Sequence, residues 1–129
     1  VLPDLREVDF GDWTGLGWDE VRTKFGLSAY SWVDQLDSGG IANAENITAY
    51  RERVAGALNT IRQSSAGATI AVFCHGGVIR MMLALLLDLP FAKTNGFAID
   101  YASLTEVALK LDRNEIQLLN FAPWREVNS

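Results

Sequence analysis

A single histidine, His75, and a single cysteine, Cys74, stand side by side in a chain of 129 residues. One cysteine excludes an internal disulfide framework and fits a reducing, cytoplasmic compartment. One histidine and one cysteine are too few ligands for a zinc site of the usual nitrogen and sulfur kind. Carboxylates are plentiful, Glu7, Asp9 and Asp12 among them, but with no histidine beside them they make a poor case for a metal-dependent hydrolase. Long apolar runs are missing too. The longest, Val78 to Leu87, contains Arg80 and stops near Pro90, well short of the roughly 20 residues a membrane span needs. No basic, hydrophobic leader with a small-residue exit is visible. Blocks of like charge are also absent: 11 basic and 16 acidic residues, net −5, are mixed along the chain. That field repels nucleic acid, and it repels phosphorylated molecules unless a local site overrides it.

What is present suits one globular domain over residues 1–129, with 49% hydrophobic and 21% charged residues. No repeat, low-complexity tract or domain boundary interrupts it. Val1 to Gly17 reads as an ordered loop anchored by Leu5, Val8, Phe10 and Trp13, with Trp13 and Trp18 as packing residues. Trp18 to Phe25 reads as a helix stopped by Gly26. Ser28 to Leu36 reads as another, with Ser28 as N-cap. Ile47, Tyr50, Val54, Leu58 and Ile61 step by three or four, placing one apolar face on a longer helix that breaks at Ser64, Ser65 and Gly67.

Thr69 to Cys74 is a continuous apolar and β-branched run, as expected of a strand buried on both faces of a parallel sheet. It leads into His75-Gly76-Gly77 and an apolar helix, Val78 to Leu87. After a loop through Asn95-Gly96, Ser103 to Leu111 and Ile116 to Phe121 flank the turn Asp112-Arg113-Asn114, which predicts a hairpin. The order predicts an α/β fold: a mostly parallel sheet flanked by helices, with a C-terminal β-hairpin.

The strand–His-Gly-Gly–helix junction is suited to an anion. The first N–H groups of a helix have no intrahelical partner and carry partial positive charge. Glycines let the backbone approach closely, and a histidine there adds a charge-assisted hydrogen bond to a phosphoryl oxygen. The plainer alternative is a half-buried, helix-capping histidine.

Val72-Phe73-Cys74-His75-Gly76-Gly77-Val78-Ile79-Arg80 resembles the second histidine motif of the histidine phosphatase superfamily, the phosphoglycerate-mutase-like clan. Leu5-Arg6-Glu7-Val8-Asp9-Phe10-Gly11-Asp12-Trp13 resembles its acidic motif. Ala44-Glu45-Asn46 with Arg53-Val54 resembles a degenerate form of its Gly-Glu-Ser…Arg-Val segment. The three stand in the right order over nearly the whole chain.

The resemblance implies phosphomonoester hydrolysis through phosphohistidine, or phosphoryl transfer on a small metabolite, with no metal and no organic cofactor. It implies Glu7 as proton donor and base, His75 as the second, phosphate-clamping histidine, and Gly76 and Arg80 as substrate contacts. Taken alone, Glu7 reads as a surface carboxylate, Arg80 equally as a snorkelling helix residue, and Arg53 as structural at the end of its helix. The family's Arg-His-Gly motif, which carries the nucleophile, is absent from the chain. One histidine cannot be both nucleophile and clamp, so the chain is not competent as it stands. It is expected to be a fragment of a longer protein, incomplete at the N-terminus, or to be completed by a homo-oligomer or a complementing N-terminal segment.

Two other readings use the same turn. A catalytically inactive pseudophosphatase would bind phosphorylated ligands without a nucleophile. A cysteine phosphatase would use Cys74 and Arg80, spaced as Cys-x5-Arg, whereas Cys74 as a small buried hydrophobe is the plain alternative. The expected partner is a phosphorylated small molecule, with no nucleic acid and no membrane.

Overall fold

The computed structural model describes residues 1–28, 31–64 and 67–125. Its α-helices are α1 (Trp18–Phe25), α2 (Trp32–Asp37), α3 (Ile47–Ser64) and α4 (Gly76–Leu86), and its strands are β1 (Leu104–Leu109) and β2 (Asn114–Phe121). Short 3-10 turns lie at Pro3–Leu5, Gly11–Trp13 and Phe91–Gly96.

Helix α1 stops where expected. Gly26 takes the left-handed conformation (φ 69°) and returns its N–H to the Arg22 carbonyl, a conformation in which a Cβ is strained. At the other end, the Glu20 carboxylate accepts from the Gly17 N–H at 2.7 Å. Helix α2 begins later than the sequence reading. Ser31, not Ser28, precedes its first residue, and the Ser31 hydroxyl bonds back to the Ser28 carbonyl. Residues 29 and 30, inside the expected helix, lie outside the described residues.

Helix α3 buries Tyr50, Val54, Ala57 and Leu58. Each large side chain removed from water there contributes about 1.5–3 kcal/mol. Opposite it, α4 buries Val78, Met81, Leu83 and Ala84. One cluster joins Tyr50, Val54, Val78, Met81 and Ala84 to Val8, Trp13, Val21, Val33, Leu36, Ile41 and Phe91. Edge-on aromatic contacts run through it from Phe10 to Trp32 (5.3 Å), Trp32 to Phe91 (6.1 Å) and Phe91 to Tyr50 (6.1 Å). Trp13 is a core anchor, as expected, whereas Trp18 remains 42% exposed. Trp32, half-buried, bridges two of these ring contacts.

The hairpin is antiparallel, Leu109 facing Asn114 and Leu104 facing Phe121. Its strands begin and end close to the expected places, except that Asn114 belongs to β2 rather than to the turn. The expected buried strand Thr69 to Cys74 differs most. Among the described residues it joins no ladder, and the described sheet is the two-stranded pair β1–β2. Phe73 is 95% exposed, and Ile70 and Val72 are exposed as well. A strand becomes buried on both faces only when strands flank it and helices cover it, and these residues have neither here. The α/β character therefore rests on the helices with the hairpin.

Candidate functional site

The acidic loop is built by the chain segment before α3. Gly11 adopts φ +53°, and a Cβ there would collide with the Ala42 carbonyl and the Ala44 nitrogen. Only glycine permits so close an approach. The two loops are then joined by the Asp12 N–H to Ala42 carbonyl bond (3.0 Å), the Glu45 N–H to Asp9 carbonyl bond (2.9 Å) and the Asn43 amide to Asp12 carboxylate bond (2.8 Å).

Arg53 completes the junction. Its guanidinium forms a forked pair with Glu45 (Nε to Oε1 2.6 Å, Nη2 to Oε2 2.8 Å) and donates to the main-chain carbonyls of Asp4 (2.6 Å), Arg6 (3.0 Å) and Glu7 (3.3 Å). Its flat face lies 4.7 Å from the Tyr50 ring centre. Both partners are nearly buried, at 9% and 12% side-chain exposure. Burial alone would raise the Glu45 carboxyl, but the Arg53 hydrogen bond and charge outweigh it and hold that carboxyl below its usual value. The Glu45 hydrogen bond in turn raises Arg53, against the opposing effect of burial. Arg53 is thus structural, as the sequence suggests, but it lies inside α3 rather than at its end, and what it holds is the main chain on either side of Glu7.

Glu7 so held reaches the His-Gly-Gly turn. Its Oε1 accepts from the Val8 N–H (3.0 Å) and its Oε2 from the Gly77 N–H (3.2 Å). A carboxylate on the first turn of a helix is favoured by the unpaired N–H groups and the helix dipole. Gly77 makes the approach feasible, since a Cβ there would collide with Glu7 Oε1. His75 is the N-cap of α4, with extended backbone (φ −113°, ψ 160°) and an exposed side chain. Gly76 follows as the first residue of the helix.

Glu7, 68 residues before His75 in the chain, therefore meets His75 and Gly76 at one end of α4. Arg80 lies farther along α4. Its guanidinium donates to the Thr94 carbonyl and stands 5.9 Å from the Trp32 ring. Burial lowers its pKa. Cys74 is half-buried, and burial pushes its thiol up, away from the lowered value a nucleophilic cysteine needs. Arg80, the other member of the Cys-x5-Arg spacing, is bonded to the Thr94 carbonyl. Arg53 is the residue whose reach the sequence did not show: three carbonyl acceptors in a distant loop leave no side-chain pattern.

A hollow of about 330 Å3 lies beside Glu45, lined by Leu36, Ile41, Ala44 and Ile47 among others. It includes neither Glu7 nor His75. Among the described residues no helix is long and apolar enough to cross a membrane.

The chain is similar to proteins of known activity. Phosphoserine phosphatase 1 of Hydrogenobacter thermophilus is 29% identical over 116 residues, covering 90% of this chain and 55% of that protein. The adenosylcobalamin/alpha-ribazole phosphatase of Salmonella typhimurium is 24% identical over 126 residues, covering 97% and 62%. The chain thus spans little more than half the length of the curated relatives it matches. The crystal structure of the alpha-ribazole phosphatase from Shigella flexneri superposes with a TM-score of 0.72 at 20% identity, over 93% of this chain and 59% of that one, which shows a shared α/β fold. The family model of the histidine phosphatase superfamily (branch 1) matches residues 1–122, and the chain belongs to that superfamily.

Proposed function

We propose that the protein containing this chain hydrolyses phosphomonoesters of small molecules through a phosphohistidine whose nucleophile lies outside these 129 residues. One observation carries the reading: the Glu7 carboxylate sits on the Gly77 N–H, at the same helix end as His75 and Gly76. That contact supports Glu7 as proton carrier beside His75 as phosphate clamp, an arrangement suited to in-line phosphoryl transfer.

In the first step a histidine nitrogen bonds to phosphorus and the ester P–O bond breaks, while Glu7 gives its proton to the leaving oxygen. Water then attacks phosphorus, the N–P bond breaks, and Glu7 takes the water's proton. His75 and the Gly76 N–H hold the equatorial oxygens throughout. Arg80 contributes positive charge behind the turn, having no carboxylate partner among the described residues.

The phosphatase relatives favour hydrolysis over transfer to a second metabolite. The same proposal places Thr69 to Cys74 in a mostly parallel sheet completed by chain or partner outside these residues, in a cytoplasmic protein. The exposure of Phe73 supports that placement.

The test is the phosphoenzyme. Brief exposure of the complete protein to a labelled phosphomonoester should leave label that survives base and is lost in acid. His75→Ala should lower turnover by about 10²–10³-fold, as for loss of a clamping donor. Full activity in His75→Ala, or label lost in base, would overturn the assignment. The single histidine favours a second reading, a binding module without turnover. Saturable binding of phosphorylated ligand by a complete protein that forms no phosphoenzyme would establish it.

A further inference from the structure

The reaction just described leaves one buried polar group unused, the hydroxyl of Tyr50. The side chain is fully buried, its ring beneath Arg53 and edge-on to Phe91. Among the described residues its hydroxyl has no hydrogen-bond partner. Folded proteins pair the large majority of such groups, so an exception calls for an explanation. Phenylalanine would fill the same space with no polar atom, so the oxygen itself calls for a reason.

Its direction supplies one. A Cβ at Gly77 would stand 3.1 Å from the Tyr50 oxygen and would collide with Glu7 Oε1. The hydroxyl and the carboxylate therefore border one small space, open because residue 77 has no side chain. Glu7 Oε1 accepts from the Val8 N–H, and a carboxylate oxygen has a second lone pair to offer.

We propose that Tyr50 is a positioning residue for Glu7, its hydroxyl donating to Glu7 Oε1 across the Gly77 gap while the carboxylate is ionised. This fixes which oxygen faces the phosphoryl group and steadies the charge left after the proton has gone to the leaving oxygen. The proposal rests on the acid/base role of Glu7 given above.

The other groups around Glu7 do not supply this donor. From α3, Arg53 directs its guanidinium to Glu45 and to main-chain carbonyls. From the run into α4, Cys74 is a weak donor and the His75 side chain is exposed. Glu45 carries negative charge and is paired with Arg53. Burial first, and the Glu7 charge second, push the Tyr50 phenol far above its ordinary value, so it keeps its proton at any working pH.

Tyr50→Phe in the complete protein decides the matter. Turnover should fall about threefold to tenfold, the worth of one hydrogen bond, with KM unchanged. In a Glu7→Gln background the same change should have no effect, because the carboxylate it serves has gone. The Glu7 carboxyl carbon resonance, followed by NMR without turnover, should shift in Tyr50→Phe. Unchanged turnover with an unshifted Glu7 resonance would overturn the proposal, as would an equal loss in the Glu7→Gln background. Wild-type activity in Glu7→Gln alone would instead overturn the acid/base assignment. The carboxyl resonance then decides the Tyr50 contact by itself, an unshifted signal refuting it.

Discussion

The Glu7 loop and the Thr69–Cys74 run both lead to the His75 turn, yet they are secured in opposite ways. Around Glu7, one guanidinium holds a carboxylate and three main-chain carbonyls, and two loops are tied by their own backbone bonds. The run from Thr69 to Cys74 carries apolar side chains into solvent and forms no ladder. The first region is finished by groups within the described chain. The second has the composition of an interior strand without an interior around it. One half of the scaffold around the turn is therefore tied by its own hydrogen bonds, and the other half is not.

Removing Arg53 should break this contrast most severely. Arg53→Ala leaves Glu45 nearly buried without its partner and frees the carbonyls of Asp4, Arg6 and Glu7. A loss of about 3 kcal/mol in denaturant unfolding is expected, at the lower end for breaking a buried pair, together with loss of activity. Arg53→Lys should recover only part of it, since an ammonium cannot reproduce the planar fork.

Acid probes the same pair more gently. The folded Glu45 carboxyl lies below the ordinary 4.5, so its contribution is complete above that pH and is lost as the pH falls below it. Unfolding midpoints measured from pH 6 down to pH 3 should decline, and Glu45→Gln should flatten the decline. An equal decline in the variant would mean that other carboxylates carry it.

The smallest effect is expected in the second region. In the 129-residue chain by itself, Phe73→Ser, at a side chain 95% exposed, should alter stability by no more than about 0.5 kcal/mol. A loss of about 3 kcal/mol or more, the scale for a buried aromatic, would show that Phe73 is covered and would erase the contrast. Light scattering of the two forms would add a second measure, since an unpaired extended run is a template for edge association.

The same contrast explains what could be read from the residues. The stripe Tyr50, Val54, Leu58 predicts the buried face of α3 because helical period and burial are both local properties. Gly26 and His75-Gly76-Gly77 announce a helix stop and a helix start for equally local reasons. Helix α2 is misplaced by several residues because Ser28 and Ser31 are both good caps, and nothing nearby chooses between them. The Arg53 carbonyl contacts leave no trace, since main-chain acceptors are the same whatever residue bears them. Reading Thr69 to Cys74 as buried assumes flanking strands, which composition alone cannot supply. Of the site, Glu7, His75 and Gly76 could be named from motifs, whereas the Tyr50 hydroxyl was visible only as one member of an apolar stripe.

Gly11 and His75 should part company under selection. At Gly11 the positive φ and the crowding by Ala42 and Ala44 exclude any side chain, so a library sorted only for folded protein should already be depleted of every substitution there. His75, exposed at the end of α4, should pass that sort freely and disappear only when survival depends on chemistry.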